Sequence, residues 1–195
     1  MRITKSLETK LSIYRAAVEL LEEEDIDAIS IRAIAKRAKI SVGTFYYYFS
    51  TKYEVFGYAH TLMGAYLTST VEKNLPNDTT WNRMMFLFEQ YHNFIVYRTP
   101  KKLHQALCRL DPVVSQRGQN ETGLDRILMR IIEDGKERGE VTSNESSSEI
   151  CNILLTCIRG FYRQWAINAN EMQTDAIINK YIPMMVEIFV QRTTS

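Results

Sequence analysis

The residues best suited to chemistry lie between Ala28 and Tyr53, where five basic side chains (Arg32, Lys36, Arg37, Lys39 and Lys52) occur without one carboxylate. The acids of the N-terminal region sit mostly just upstream, in Glu22, Glu23, Glu24, Asp25 and Asp27. Such a window binds phosphates even though the whole chain carries a formal net charge of only +1. Interleaved with the cations is the run Ser41-Val42-Gly43-Thr44-Phe45-Tyr46-Tyr47-Tyr48-Phe49. Wound as an α-helix, it puts Val42, Phe45 and Phe49 on one side, with Tyr46 at the edge. Gly43, Thr44, Tyr47 and Tyr48 fall on the other. A merely solvated face carries Lys and Glu, whereas this one suits DNA. Hydroxyls reach phosphates and base edges, ring carbons meet thymine methyls, and glycine lets the backbone approach. The competing reading is core packing; it holds for Phe45 and Phe49, and Tyr46 fits either. Lys52 opens the next helix, where free backbone N–H groups already favour an anion. Arg32, early in the preceding short helix, reaches a guanine edge or a phosphate.

Helical periodicity must position these groups, and no alternating strand pattern interrupts it. The predicted fold is all-α with about nine helices. The first spans Ser6 to Glu24, with Leu7, Leu11, Tyr14, Val18 and Leu21 on its apolar face. Ser30 and Ser41 are N-caps of two short helices running to Ala38 and Phe49. Thr51-x-x-Glu54 reads as a capping box opening a helix to Asn74. Further helices are predicted from Thr79 to Thr99, Pro100 to Leu110, Thr122 to Arg138, Ser146 to Asn168 and Thr174 to Gln191. Pro183 kinks the last of these, and 111–121 is a polar loop.

Two short helices joined by a tight turn have helix-turn-helix dimensions. The stretch ISIRAIAKRAKISVGTFYYYFSTKYEVF resembles the DNA-binding segment of TetR-type regulators. The resemblance rests on the Gly-Thr-aromatic-Tyr-x-x-Phe helix at Gly43 to Phe49 and on the Ser/Thr-Lys-x-x-apolar start at Thr51 to Val55. It covers roughly residues 8 to 56. It implies DNA contacts by Arg32, Val42, Gly43, Thr44, Tyr46, Tyr47 and Lys52, with Ser41 and Tyr48 behind them. Tyr48 stands where histidine is frequent in the family.

The resemblance further implies a helix-turn-helix domain over 1–52 and a helical ligand-binding and dimerisation domain over 53–195. The last two helices would pair with their mates across a twofold axis through Ile153, Cys157, Gly160, Phe161, Trp165, Ile178, Tyr181, Met185 and Phe189. Candidates for an adaptable, largely apolar pocket are Met63, Tyr66, Trp81, Met84, Met85, Phe88, Tyr91, His92, His104, Cys108, Phe161 and Tyr162.

No Gly-rich phosphate loop, HExxH or paired-cysteine signature appears, and no nucleophile–base set, so neither an enzyme nor a metal or cofactor is expected. The polar N-terminus is not read as a secretory signal, and no run is apolar enough for a membrane span. Cys108, Cys151 and Cys157 are read as reduced thiols of a cytoplasmic protein. The function expected is a ligand-responsive regulator, by family default a repressor. It would bind a palindromic double-stranded operator as a homodimer and be released by a small hydrophobic or aromatic effector. The alternative is a small-molecule-binding or adaptor protein without operator-specific binding.

Overall fold

The computed structural model describes residues 5–109, 123–168 and 173–192, which are helical throughout apart from turns and one isolated β-bridge. Helix α1 spans Lys5–Glu23, α2 Ile31–Arg37 and α3 Val42–Tyr48. Helix α4, Lys52–Tyr66, continues through a π-turn at Leu67–Val71 and a 3₁₀ turn at Glu72–Asn74. Then come α5 (Thr80–Tyr97), α6 (Lys101–Arg109), α7 (Leu124–Glu137) and α8 (Ser147–Ile167). The last helical segment is α9 (Thr174–Ala176), a π-turn over Ile177–Tyr181 and α10 (Ile182–Val186). The polar loop expected over 111–121 lies outside the described residues.

Short polar side chains start the helices as expected, because each satisfies an otherwise free backbone N–H. Ser30, Ser41 and Thr51 accept from the amides of Ala33, Thr44 and Glu54 at 3.1, 3.0 and 3.1 Å. Glu54 departs from a simple capping box: its carboxylate accepts from the Ser50 amide at 2.7 Å, one residue before the cap. The full box forms at α8, where the Glu149 carboxylate accepts from the Ser146 amide at 3.0 Å. Lys39 makes the α2–α3 turn at a φ of 56°, a left-handed conformation uncommon for a side chain with a Cβ.

Two apolar cores divide along α4. The first is built on Ile13, Ala17, Leu20, Ile34, Phe45, Phe49, Val55, Phe56 and Ala59, and takes Leu103 and Ala106 from α6. The second begins at Met63 on α4 and collects α5, α7, α8 and the C-terminal segment. The buried stripe of α1 (Ile13, Ala16, Ala17, Leu20, Leu21) is rotated from the one predicted. Tyr14 and Val18 lie on its flank, since the small alanines let α2 and α4 approach closely. Helix α6 links the units through an Arg109–Asp25 ion pair at 2.8 Å and a bond from Lys102 to the Glu22 carbonyl.

The C-terminus differs from the single helix expected. Pro183 has no N–H to donate, and a π-turn precedes it. The helix stops at Val186, after which Val190 bridges Val141 in antiparallel fashion. The Thr142 amide donates to the Phe189 carbonyl at 2.9 Å. Gly135 makes this possible: a Cβ there would lie 2.5 Å from Thr80 Oγ1 and 3.0 Å from Val141 Cγ2.

Candidate DNA-binding face and ligand cavity

Helix α3 is anchored by Phe45 and Phe49, both buried, and presents Tyr46 (56% exposed) and Tyr47 (82% exposed) outward. Arg32, Ser41, Val42 and Gly43 are exposed alongside them, and Thr44 is half-buried. Tyr46 and Val42 therefore join the outer face, although the helical wheel puts Tyr46 at the edge of the apolar side and Val42 within it. Tyr48 is a correction in the other direction. It is half-buried against the first core, and Tyr47 stands edge-on to it with ring centroids 4.9 Å apart. Ser41 and Thr44 are locked together, their hydroxyls 2.8 Å apart and Ser41 holding the Thr44 amide.

Lys52 is not a free cation poised for phosphate. Its ammonium donates to the carbonyls of Ile26, Asp27 and Ile29 at 2.8, 3.0 and 2.9 Å, which uses all three of its N–H bonds. The reason is local: the α1–α2 turn leaves those carbonyls without helical partners, and the Thr51 cap aims the next residue at them. Arg37, within the basic window, is likewise committed, with Glu23 at 2.9 Å and Glu19 at 3.6 Å. Glu23 is held below the usual carboxylate range by its hydrogen bond to Arg37. The exposed cations beside α3 are thus Arg32, Lys36 and Lys39.

A cavity of about 350 Å³ opens between α4, α5, α6 and α8. Of the residues proposed from the sequence it brings together Met63, Tyr91, His104, Cys108 and Tyr162. The others are used elsewhere. Met84 and Phe88 are fully buried in the second core, and Met85 packs beside it. Trp81 is also buried there, with the Arg192 guanidinium 5.6 Å from its ring. The Tyr66 hydroxyl donates to Gln90 at 2.6 Å, and Phe161 stacks on Tyr181 with centroids 5.4 Å apart. His92 faces a second, more open groove between α5 and the C-terminal segment.

Sequence reasoning missed Ala59 and His60 of α4, Phe94, Ile95 and Thr99 of α5, Leu107 of α6, and Leu124. It also missed Thr156, Arg159, Gly160, Arg163 and Ala166 of α8. A selection by apolar character passes over arginines, and only the crossing of α8 over α6 reveals which of its sectors faces the space.

Burial sets the titration of the lining groups. The Tyr91 hydroxyl is pushed up to about 12 and Tyr162 higher still by desolvation. His104 is lowered to about 4 chiefly by desolvation, so it is neutral at pH 7. Its Nε2 lies 3.0 Å from the Ile95 carbonyl, which can only accept, so Nε2 carries the proton. His92 Nδ1 and the Tyr162 hydroxyl share a buried hydrogen bond of 2.8 Å. Burial also raises the thiols, Cys151 to about 11 and Cys108 upward, the opposite of a reactive thiolate.

Helix α8 and the C-terminal segment carry an apolar surface: Ile153, Met184 and Ile188 are 44, 58 and 67% exposed. Half-buried Cys157, Phe161 and Tyr181 lie beside it, and exposed Gly160 sits between this surface and the cavity rim it also lines. Ile178 is half-buried against α5 in the second groove. Trp165, Met185 and Phe189 are corrections to the predicted interface. They turn inward in the single chain, Trp165 against His104 and the other two into the second core, and expose little surface. Among the described residues, no helix is long and apolar enough to cross a membrane and no His/Cys/Asp/Glu group is suited to a metal ion.

The three-helix unit, with one tyrosine-bearing helix exposed beside cations, has the form of a helix-turn-helix. Residues 13–59 match the family described as bacterial regulatory proteins, tetR family. The match covers the helix-turn-helix segment, 47 of the 195 residues. The chain is similar to the transposon Tn10 TetC protein of Escherichia coli, 24% identical over 173 residues, covering 85% of this chain and 82% of that protein. Its fold is similar to that of FadR from Bacillus subtilis, solved with stearoyl-CoA, at a TM-score of 0.74 and 20% identity, covering 90% and 97% of the two chains. It also resembles NalD, the secondary repressor of the MexAB-OprM multidrug efflux pump in Pseudomonas aeruginosa, at a TM-score of 0.70 and 15% identity, covering 95% and 99%.

Proposed function

We propose that this protein is a cytoplasmic repressor that binds a palindromic operator as a homodimer and is released when an apolar or aromatic effector enters the cavity. Arg32, Gly43, Thr44, Tyr46 and Tyr47 read the major groove, and Val42 meets a thymine methyl. Ser41, Tyr48 and Lys52 hold that face in place. Two such faces bind together only if the dimer sets them roughly 34 Å apart or a multiple of it. The surface of Ile153, Gly160, Phe161, Tyr181, Met184 and Ile188 pairs the copies, since an apolar stripe of this kind is otherwise a liability in water.

The observation that carries the ligand response is the course of α4. Its N-terminal half is built into the first core through Val55 and Phe56, and over the next two turns Ala59, His60 and Met63 line the cavity. A ligand that prefers a shifted α4 therefore changes the spacing of the two α3 helices, by as much as its differential affinity allows. The fatty acyl ligand of the Bacillus subtilis protein and the repressor role of NalD support this reading.

The test is selection of bound duplexes from a random library by purified protein, repeated with Tyr47→Ala and Thr44→Ala. A palindrome enriched by the native protein and weakened by both variants is the expected result. No enrichment by a folded dimer would favour a ligand-binding or adaptor protein without operator specificity.

A further inference from the structure

The cavity is apolar over most of its wall, yet two guanidinium groups border it, those of Arg159 and Arg163 on α8. They are four residues apart and so neighbours on one helix face, an arrangement of like charges that costs stability unless something offsets it. Neither is engaged in an ion pair or hydrogen bond among the described residues. Arg159 is half-buried and Arg163 exposed, which places the pair at the mouth rather than the floor. Arg159 is close enough to act electrostatically on Tyr91, and Arg163 on Cys108. No carboxylate occurs among the described lining residues, and His104 is neutral, so the two arginines set the sign of the site. Thr156, one turn before Gly160, adds a hydroxyl at the same rim.

We infer that the effector is an amphipathic anion, with an apolar body between α4, α5 and α6 and a carboxylate or phosphate head group clamped by Arg159 and Arg163. A planar guanidinium meets either oxyanion with two parallel hydrogen bonds, and two of them a turn apart bracket one head group. This rests on the proposed ligand response and deepens it: the apolar wall supplies affinity, and the arginine pair rejects neutral and cationic compounds of the same shape. An anion at the mouth also draws α8 and the cavity-lining turn of α4 toward one ligand, coupling occupancy to the DNA-binding unit.

The test measures binding to the purified protein through Trp165, whose ring centroid lies 5.7 Å from that of the lining His104. The probes, all kept below their micelle concentrations, are dodecanoate, dodecanoyl-CoA, dodecanol and dodecyltrimethylammonium. The aromatic pair is 2-naphthoate and 2-naphthamide. The expected result is that at least one anion binds about tenfold or more tighter than its neutral analogue, as fits charge-assisted bonds at a half-exposed site. Arg159→Gln with Arg163→Gln abolishes that preference, whereas Arg159→Lys with Arg163→Lys keeps most of it. Comparing dodecanoate with dodecanoyl-CoA tells a carboxylate head from a phosphate-bearing one. Equal binding of neutral analogues, preference for the cation, a preference that survives the glutamine pair, or no binding at all would overturn the inference. Anion-selective binding that never releases operator DNA would leave the head-group assignment standing and contradict the regulatory reading instead.

Discussion

The ammonium of Lys52 lies 2.9 Å from the carbonyl oxygen of Ile29, and the same group also holds the carbonyls of Ile26 and Asp27. A lysine at the start of α4 thus closes the turn that sets α2, and through α2 the pose of α3. Lys52→Met leaves three carbonyls without their charged donor, and should lower unfolding free energy by about 2 kcal/mol, the usual value of a bond to a charged group. Chemical denaturation checks this. Unchanged stability with a shallower salt dependence of DNA binding would mean that the ammonium serves a phosphate instead.

His104 predicts a pH dependence. Its folded pKa is lowered to about 4, against about 6.5 for an unfolded histidine. Between those values the unfolded chain binds the proton and the folded one does not, so its contribution is fully present above pH 6.5 and lost as pH falls toward 4. The melting temperature should drop across that window, and His104→Gln, which keeps a donor for the Ile95 carbonyl, should flatten this part of the profile.

Dimerisation is tested by charge. Met184 and Ile188 are exposed in the single chain, so replacing both with Glu should leave helical content intact while converting dimer to monomer in sedimentation. Operator affinity should fall at least a hundredfold, roughly the avidity that a second half-site contributes. A variant that stays dimeric would place the interface elsewhere.

Gly135 gives a packing prediction. An alanine methyl there meets Thr80 Oγ1 at 2.5 Å and Cγ2 at 2.7 Å, so α5 and α7 must separate. Gly135→Ala should cost about 1–3 kcal/mol, the range for overpacked cores, despite the better helix propensity of alanine. Thermal denaturation of the variant is the check.

The helix-turn-helix was legible because its signals are local. Ser30, Ser41 and Thr51 mark helix starts through bonds three residues long, and the wheel of α3 places Phe45, Phe49, Gly43 and Tyr47 as observed but not Val42 or Tyr48. Lys52 was placed correctly but its partners were not visible, because they come from a turn 23 to 26 residues away. The cavity was harder for the same reason. Met63, Tyr91 and Tyr162 have the character of pocket residues, but so do Met84 and Phe88, and only helix crossings separate the two groups. Trp165 and Ile153 share α8, and composition alone does not say which is buried in the single chain. The Val141–Val190 bridge left no mark in either segment's pattern.

The central claim is that the outer face of α3 reads DNA, and the most direct measurement is the affinity of native, Tyr47→Ala and Arg32→Ala proteins for the selected palindrome across a salt series. Log affinity of the native protein should fall steeply and linearly with log salt. Tyr47→Ala should lose roughly 1–3 kcal/mol at every salt concentration, and Arg32→Ala should lose affinity with a slope shallower by about one per half-site. Variants that bind like the native protein, with the same slope, would contradict it.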